Sequence, residues 1–354
     1  MYRTSKCMYL SVRQWRRPLD ASHHSPPTFR HFQGCTTASR TSSSFNLTRY
    51  IVHPHQPSTL CSGMVMPGTP AGDAGERNGT DVAASTVVHP TAPLPLAQLC
   101  AQIHGKLAAF LNADPKTERL RAVQAQSRIS LGVIEEALRR YSPEELSISY
   151  NGGKDCLVLL ILYLSALHSY HARPVDGLHT SNKTNNHHQH HPPPARLPTR
   201  LNSVYIVTQH PFQAVEDFVA SSVEYYHLSM TRYAKPMKEG FADYLREHPK
   251  IRAIFVGTRR TDPHGGELVH FDPTDRGWPD FMRIHPVIDW HYAEIWAFIR
   301  ELGITYCELY DMGYTSLGGT TDTQPNPALG VGSGGFRPAY ELLQDEEERL
   351  GRNR

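Results

Sequence analysis

From about residue 95 onward, the chain alternates two patterns of apolar positions. Residues 96–111 carry apolar side chains at helical spacing. A second helix is expected to start at Asp114-Pro115, a capping residue followed by proline at the first helical position, and to run to about residue 141. Residues 146–150 read as a short strand. Residues 156–170 are apolar nearly all round, the mark of a helix buried on every side. Strands are expected at 203–207, 228–231 and 251–256, separated by helical patterns at 211–227 and 235–248. A helix at 291–302 capped by Asp289, and a last one at 338–350, complete the order. Strands alternating with helices in this way predict an α/β fold, a doubly wound and mostly parallel sheet with helices on both faces. No internal repeat is visible.

Residues 1–94 break the pattern. They are rich in Ser, Thr, Pro, His and Arg and have few periodic apolar runs, so they are expected to be a disordered extension ahead of one domain at 95–354. Within residues 1–50, seven Arg and one Lys face a single acid, Asp20. Arg-rich, Ser-rich and acid-poor is transit-peptide composition, and an untargeted tail or a start codon placed too early reads equally from the same residues. The expected location is cytoplasmic, with mitochondrial as the alternative. A low-complexity insert at 176–200 holds His187, His188, His190 and His191 before Pro192, Pro193 and Pro194. Such a tract can bind metal, but the plainer expectation is a surface loop.

The formal net charge of the 354 residues is +2, which argues against a broad surface for nucleic acid. No stretch of about 18 apolar residues occurs, so no membrane-crossing helix is expected. Cys7, Cys35, Cys61, Cys100, Cys156 and Cys307 contain no C-x-x-C pair and read as dispersed, reduced thiols. Nothing like a heptad seam suggests a dimer, and a monomer is expected.

The chemistry concentrates in a few segments. Residues 146–155, Leu-Ser-Ile-Ser-Tyr-Asn-Gly-Gly-Lys-Asp, are a strand, a glycine turn and a helix start. Backbone N–H groups at a helix N-terminus bind phosphate, and glycines let the backbone come close. This is not a Walker A loop: one glycine separates Gly152 from Lys154, and Asp155 follows the lysine. An acid at that point works against phosphate unless a magnesium ion bridges the two; as an ordinary turn, Asp155 would be a helix cap. Residues 254–263 end a strand with Gly257, Arg259, Arg260, Asp262 and Pro263 at the same carboxyl edge, where open α/β sheets bind ligands. Trp278 and Phe281, in the segment 275–286, offer a planar stacking surface, and Arg283 an anion contact. Arg349 and Arg352 are three apart and would share a face of the last helix.

The stretch Ser149–Asp155 resembles the pyrophosphate loop of the adenine nucleotide α-hydrolase-like (PAPS reductase-like) superfamily, whose fold is Rossmann-like. The further segments look like FAD synthases of the fungal and animal type over about residues 95–352. They are Arg259-Arg-Thr-Asp-Pro263, Trp278-Pro-Asp-Phe-Met-Arg283, Tyr306-Cys…Gly-Tyr-Thr-Ser-Leu-Gly318 and the paired tail arginines. The resemblance implies transfer of AMP from ATP to FMN, giving FAD and pyrophosphate, with magnesium as cofactor. It implies catalytic roles for Asn151, Asp155, Asp262, Arg349 and Arg352. ATP contacts would come from Ser149, Gly152, Gly153, Lys154, Gly257, Arg259 and Arg260, and flavin contacts from Asp275, Trp278 and Arg283. Asp155 and Asp262 are the implied magnesium ligands. The implied partners are small molecules, with apo-flavoproteins as clients, and neither nucleic acid nor membrane. A reductase of the superfamily would need a nucleophilic cysteine in its C-terminal segment, and no cysteine follows Cys307.

Overall fold

The structure, a computed structural model, describes residues 93–172, 197–332 and 334–353. The extension and its targeting reading, apart from positions 93 and 94, lie outside the described residues. So does the histidine tract of the insert.

Two helices come first, α1 (Leu96–Asn112) and α2 (Glu118–Arg140). The start of α2 corrects the sequence expectation. Thr117 is its cap, its Oγ1 accepting the Leu120 N–H at 3.2 Å. The side chain of Gln124 ties the Phe110 and Ala113 carbonyls, both at 2.8 Å, so the Asp114-Pro115 segment serves as a connection. Then follow β1 (Leu146–Ser149), α3 (Lys154–Ala172), β2 (Leu201–Ile206), α4 (Gln213–Tyr225), β3 (Leu228–Tyr233), α5 (Met237–Glu247) and β4 (Ala253–Phe255). The chain continues through β5 (Phe271–Pro273), β6 (Met282–Ile284) and α6 (Tyr292–Glu301). The helix expected to be capped by Asp289 is instead capped at His291, whose N–H donates to Glu294 at 2.9 Å. Asp289 receives the Arg260 guanidinium at 2.7 Å.

The sheet order is β3-β2-β1-β4-β6-β5. Every pairing is parallel except β5 with β6. The chain winds from β1 outward to β3, then returns to place β4 on the other side of β1. The switch point is therefore the gap between β1 and β4, and the crevice outside their carboxyl ends is where such sheets bind ligands. Strands β5 and β6 were not expected. Their three-residue runs are too short to show a period of two, and they form only by pairing with each other and with β4.

Helix α3 is long and apolar enough by composition to cross a membrane. Its apolar surface is consumed instead by α1, α2 and α6, and Leu157–Leu164 are all buried. The second face of the sheet is thinner. Val204, Tyr233, Phe241, Tyr244, Ile251, Ile254 and Phe281 form a separate small core there, with α5 as its helical cover. That thinner face leaves room for a cavity.

The last helix expected, at 338–350, is absent. The segment makes two short 3₁₀ turns, Ala339–Glu341 and Asp345–Glu347. Its acidic side chains are drawn into the molecule: Asp345 accepts the Tyr292 N–H at 2.6 Å, and Glu348 is buried against Lys154 and Arg259. Arg349 and Arg352 therefore share no helix face. A turn brings the Arg352 N–H onto the Arg349 carbonyl at 2.9 Å.

Candidate active site

The loop after β1 takes its shape from Asn151 and Gly152. Gly152 has φ +76°, and a Cβ there would meet Val219 at 2.8 Å, so both conformation and space call for glycine. Oδ1 of Asn151 accepts the Gly153 N–H at 3.0 Å and the Cys156 thiol at 3.1 Å. Its Nδ2 has no partner among the described residues and is left for a ligand. The N–H of Lys154 donates to the Tyr310 hydroxyl at 2.9 Å. Two of the loop amides expected to cradle phosphate, those of Gly153 and Lys154, are thus already engaged.

Lys154 is the second correction at this loop. Its side chain is 2% exposed, and its Nζ sits between Asp155 at 2.9 Å and Glu348. Burial alone would discharge it, but the two carboxylates outweigh burial and hold its pKa above the usual lysine value. It borders the cleft at the glycine loop, with its charge set against these two carboxylates. Arg259 is likewise wholly buried and cannot reach a nucleotide. Its guanidinium faces Asp155 at 2.9 Å, Asp262 at 3.5 Å, Asp345 at 3.4 Å and Glu348. Burial opposes its charge, and Asp155, Glu348 and Asp262 outweigh burial and raise its pKa. Arg260 points away, onto Asp289 and the Gly266 and Leu268 carbonyls. Neither arginine lines the cleft at the glycine loop.

Asp155 opens α3. Burial would raise its pKa, but Arg259 and Lys154 overcome that and lower it, so the carboxylate stays ionised. Its Oδ1 lies 2.9 Å from the Arg259 Nε and its Oδ2 2.9 Å from the Lys154 Nζ. Asp262 turns back onto the Arg259 N–H at 2.8 Å. Gly257 lets β4 lie against the start of α3, since a Cβ there would stand 2.8 Å from the Cys156 backbone nitrogen.

These residues border a cleft of about 270 Å³ that Ser149, Asn151, Gly153, Asp155, Gly257 and Asp262 line from the sheet side, with Arg349 and Arg352 from the tail. Arg349 is exposed, and no partner for its guanidinium occurs among the described residues. Arg352 is tethered to Asp322 at 3.1 Å and the Leu317 carbonyl at 3.2 Å, while its buried Nε has no partner.

A second cavity, of about 500 Å³, opens on the thinner face of the sheet. Its walls include Tyr205, Phe241, Trp278 and Phe281, with Asp275, Arg283 and His285 as polar groups. Trp278 is 39% exposed at its edge. Phe281 contributes mainly as core, packed on Phe241 with ring centroids 5.3 Å apart. Arg283 is held by Asp272 at 3.2 Å and Asp275 at 3.4 Å, so it is not the free anion contact expected. The two cavities share Ser149, Asn151, Met237, Val256 and Thr258, and so form one continuous cleft at the switch point.

Sequence reasoning missed Glu348, Asp345, Tyr310 and His285. The first two stand in the acidic run 345–348 beside Arg349, inside the helix expected at 338–350. Cys307 is fully buried with its thiol pushed up to about 11 by burial, so it is no nucleophile.

A β1–glycine loop–α3 unit facing a two-part cleft defines a nucleotide-handling α/β protein. The family model described as the phosphoadenosine phosphosulfate reductase domain matches residues 145–325. Within that class, the chain belongs to the FAD synthase family. It is 42% identical to a probable FAD synthase of Schizosaccharomyces pombe over 244 residues, 69% of this chain and 84% of that one. It is 35% identical to flavin adenine dinucleotide synthase of Saccharomyces cerevisiae over 242 residues, 66% of this chain and 75% of that one. Among solved structures, Candida glabrata FMN adenylyltransferase in complex with FAD and inorganic pyrophosphate superposes with a TM-score of 0.64 at 28% identity. That match covers 73% of this chain and 99% of the other.

Proposed function

We infer that this chain is a nucleotidyltransferase that moves the AMP of ATP onto the phosphate of FMN, producing FAD and pyrophosphate. The observation that carries the reading is the continuous cleft. A polar, charged compartment at the glycine loop joins an aromatic-walled one, and the two share Ser149, Asn151, Met237, Val256 and Thr258. A triphosphate fits the first, a flavin the second, and the reacting phosphates meet between them.

The phosphate of FMN, by analogy with phosphoserine, has a second pKa of about 6 and is mostly a dianion at neutral pH. It needs no general base to act as a nucleophile. The obstacle is repulsion between two anions, so catalysis is positioning and charge neutralisation. We assign the free guanidinium of Arg349 to the charge that grows on the departing pyrophosphate, and Arg352 to a fixed seat beside it. The unpaired Nδ2 of Asn151 donates to the α-phosphate. Trp278 stacks on the flavin ring.

The carboxylates also bear on magnesium. Lys154 and Arg259 face Asp155, Asp262, Asp345 and Glu348, two cations against four anions. Among the described residues, no three His, Cys, Asp or Glu side chains could enclose a metal. A magnesium ion carried by ATP would need only one or two protein carboxylates. Asp155 and Asp262, which both line the cleft, would hold it. When bound, it neutralises phosphate charge. We further propose that the chain acts as a monomer in the cytoplasm. The dispersed thiols, of which Cys100, Cys156 and Cys307 are free and buried, support the compartment.

The test is direct. Purified protein with FMN, ATP and magnesium should yield FAD and pyrophosphate in equal amounts, and Asp155→Ala should abolish both. Flavin binding with no FAD formed would leave a sensor rather than an enzyme. No flavin binding would sink the assignment.

A further inference from the structure

His285, the residue directly after β6 and two on from Arg283, has no role above. Its side chain is 1% exposed and lines the larger cavity. Neither Nδ1 nor Nε2 has a hydrogen-bond partner. The backbone of the residue is satisfied: its N–H donates to the His270 carbonyl at 2.9 Å, and its own carbonyl meets the His270 ring at 2.9 Å. The Val256 carbonyl lies near the ring, where it favours the charged form, but not at hydrogen-bond geometry. Buried polar side chains nearly always hold a partner, and an unpaired one that lines a cavity offers its polar atoms to whatever fills that cavity.

The chemistry of that ligand can be narrowed. Burial first, and the Arg283 guanidinium second, push the ring down to about 4, so it is neutral at working pH. A neutral imidazole offers one N–H donor and one acceptor. A phosphate, which only accepts, matches half of that. A hydroxyl both donates and accepts and matches all of it. Position adds to this. Ile284 pairs with Phe255, which sets His285 beside Val256, a residue that both compartments share. His285 therefore stands beside a residue at which the two compartments meet. In FMN, the segment between phosphate and ring is a chain of hydroxyls.

Resting on the FMN reading, we propose that His285 is a flavin-binding residue whose imidazole pairs with hydroxyls of the ribityl chain. It selects a hydroxylated linker between the phosphate and the flavin ring.

The experiment compares the wild-type protein with His285→Leu and His285→Asn, using FMN and lumiflavin (the ring without the chain) as probes. Binding is read from quenching of flavin fluorescence. The wild-type protein must bind FMN and form FAD; if it does not, the substrate reading itself fails. Given that it does, His285→Leu should weaken FMN binding at least tenfold and leave the KM for ATP within twofold. It should not change lumiflavin binding. His285→Asn, which keeps a donor and an acceptor, should recover most of the affinity. FMN binding by His285→Leu equal to wild type would reduce His285 to a core histidine. Equal weakening of FMN and lumiflavin would move its contact to the ring and overturn the assignment to the chain. Should His285→Leu not fold, the imidazole ¹⁵N signals of the wild-type protein decide the matter. The signal missing in His285→Asn should shift with FMN and not with lumiflavin, and no shift with FMN would overturn the proposal.

Discussion

Replacing Glu348 by glutamine removes one negative charge where two buried cations meet. Lys154 and Arg259, 2% and 0% exposed, both sit on this carboxylate, itself 5% exposed. Removing one partner from a buried charge network typically costs about 3–5 kcal/mol, because the remaining charge is left uncompensated. Here Lys154 keeps Asp155 at 2.9 Å, and Arg259 keeps Asp155 at 2.9 Å and Asp345 at 3.4 Å. The expected cost is therefore at the low end, about 3 kcal/mol. Against a total stability of about 5–15 kcal/mol this is a large fraction. Catalysis should fall as well, since Glu348 fastens the segment that brings Arg349 to the cleft. Urea unfolding should show a lower midpoint at unchanged slope. A double-mutant cycle with Lys154→Met should return a coupling of about 1–3 kcal/mol. A stability change under about 0.5 kcal/mol, the size of an ordinary surface substitution, with unchanged turnover would refute the idea that this network holds the site together.

Arg349→Ala should lower kcat about a hundredfold with little change in ATP affinity or melting temperature, because the side chain is exposed and unpartnered; an unchanged kcat removes it from the mechanism. Gly257→Ala places a methyl 2.8 Å from the Cys156 backbone nitrogen and should cost about 1–3 kcal/mol together with ATP affinity, read by calorimetry. Trp278→Ala should raise the KM for FMN by up to about tenfold at constant stability, the loss of about one aromatic contact. Stability should also fall below neutral pH through His285. The unfolded ring takes a proton below about 6.5 and the folded one only near 4, so its contribution is complete above pH 6.5 and disappears as pH drops through that window. At about 1.4 kcal/mol per pH unit, it reaches about 3 kcal/mol, and His285→Asn should abolish that part of the slope in urea titrations. His291, raised by its hydrogen bond with Asp345, acts in the opposite sense, favouring the fold at low pH and losing effect as pH rises through its folded value.

The alternating order of strands and helices was legible because β1 to β4 and α1 to α6 are each fixed by their own apolar pattern. The loop at 149–155 was legible too, since strand, glycines and helix start are contiguous. What could not be read locally was anything that one distant segment does to another. The acids at 345–348 look like the polar face of a helix, and by propensity they would be. They are pulled out of helix because Arg259, Lys154 and the Tyr292 N–H offer stronger partners than another turn would. Lys154 and Arg259 were misread for the same reason. A lysine or arginine beside a phosphate loop faces phosphate only if no carboxylate from elsewhere claims it first, and Glu348 stands 194 residues from Lys154.

That separation bears on how the site forms. The glycine loop contributes shape, but two of its amides are occupied by Asn151 and Tyr310, and its lysine is buried. Beside Lys154, whose charge is set against Asp155 and Glu348, the positive charge lining the cleft comes from the tail, through Arg349 and Arg352. The tail is held by Thr315 and Asn326, which donate to the Glu348 carbonyl at 2.6 Å and 3.4 Å, and by the ion pairs of Asp345 and Glu348. An ATP compartment therefore exists only once both ends of the domain have docked. Removal of residues 345–352 takes out no residue of the strands or long helices, but on the cost argued for Glu348 it should lower the stability of the fold by at least as much. It should also leave Lys154 and Arg259 facing two carboxylates rather than four. The truncated protein should still quench flavin fluorescence through Trp278 but form no FAD. Retained FAD synthesis in that protein would show that the tail arginines and the network behind them are dispensable, and the charge argument for this site would fall.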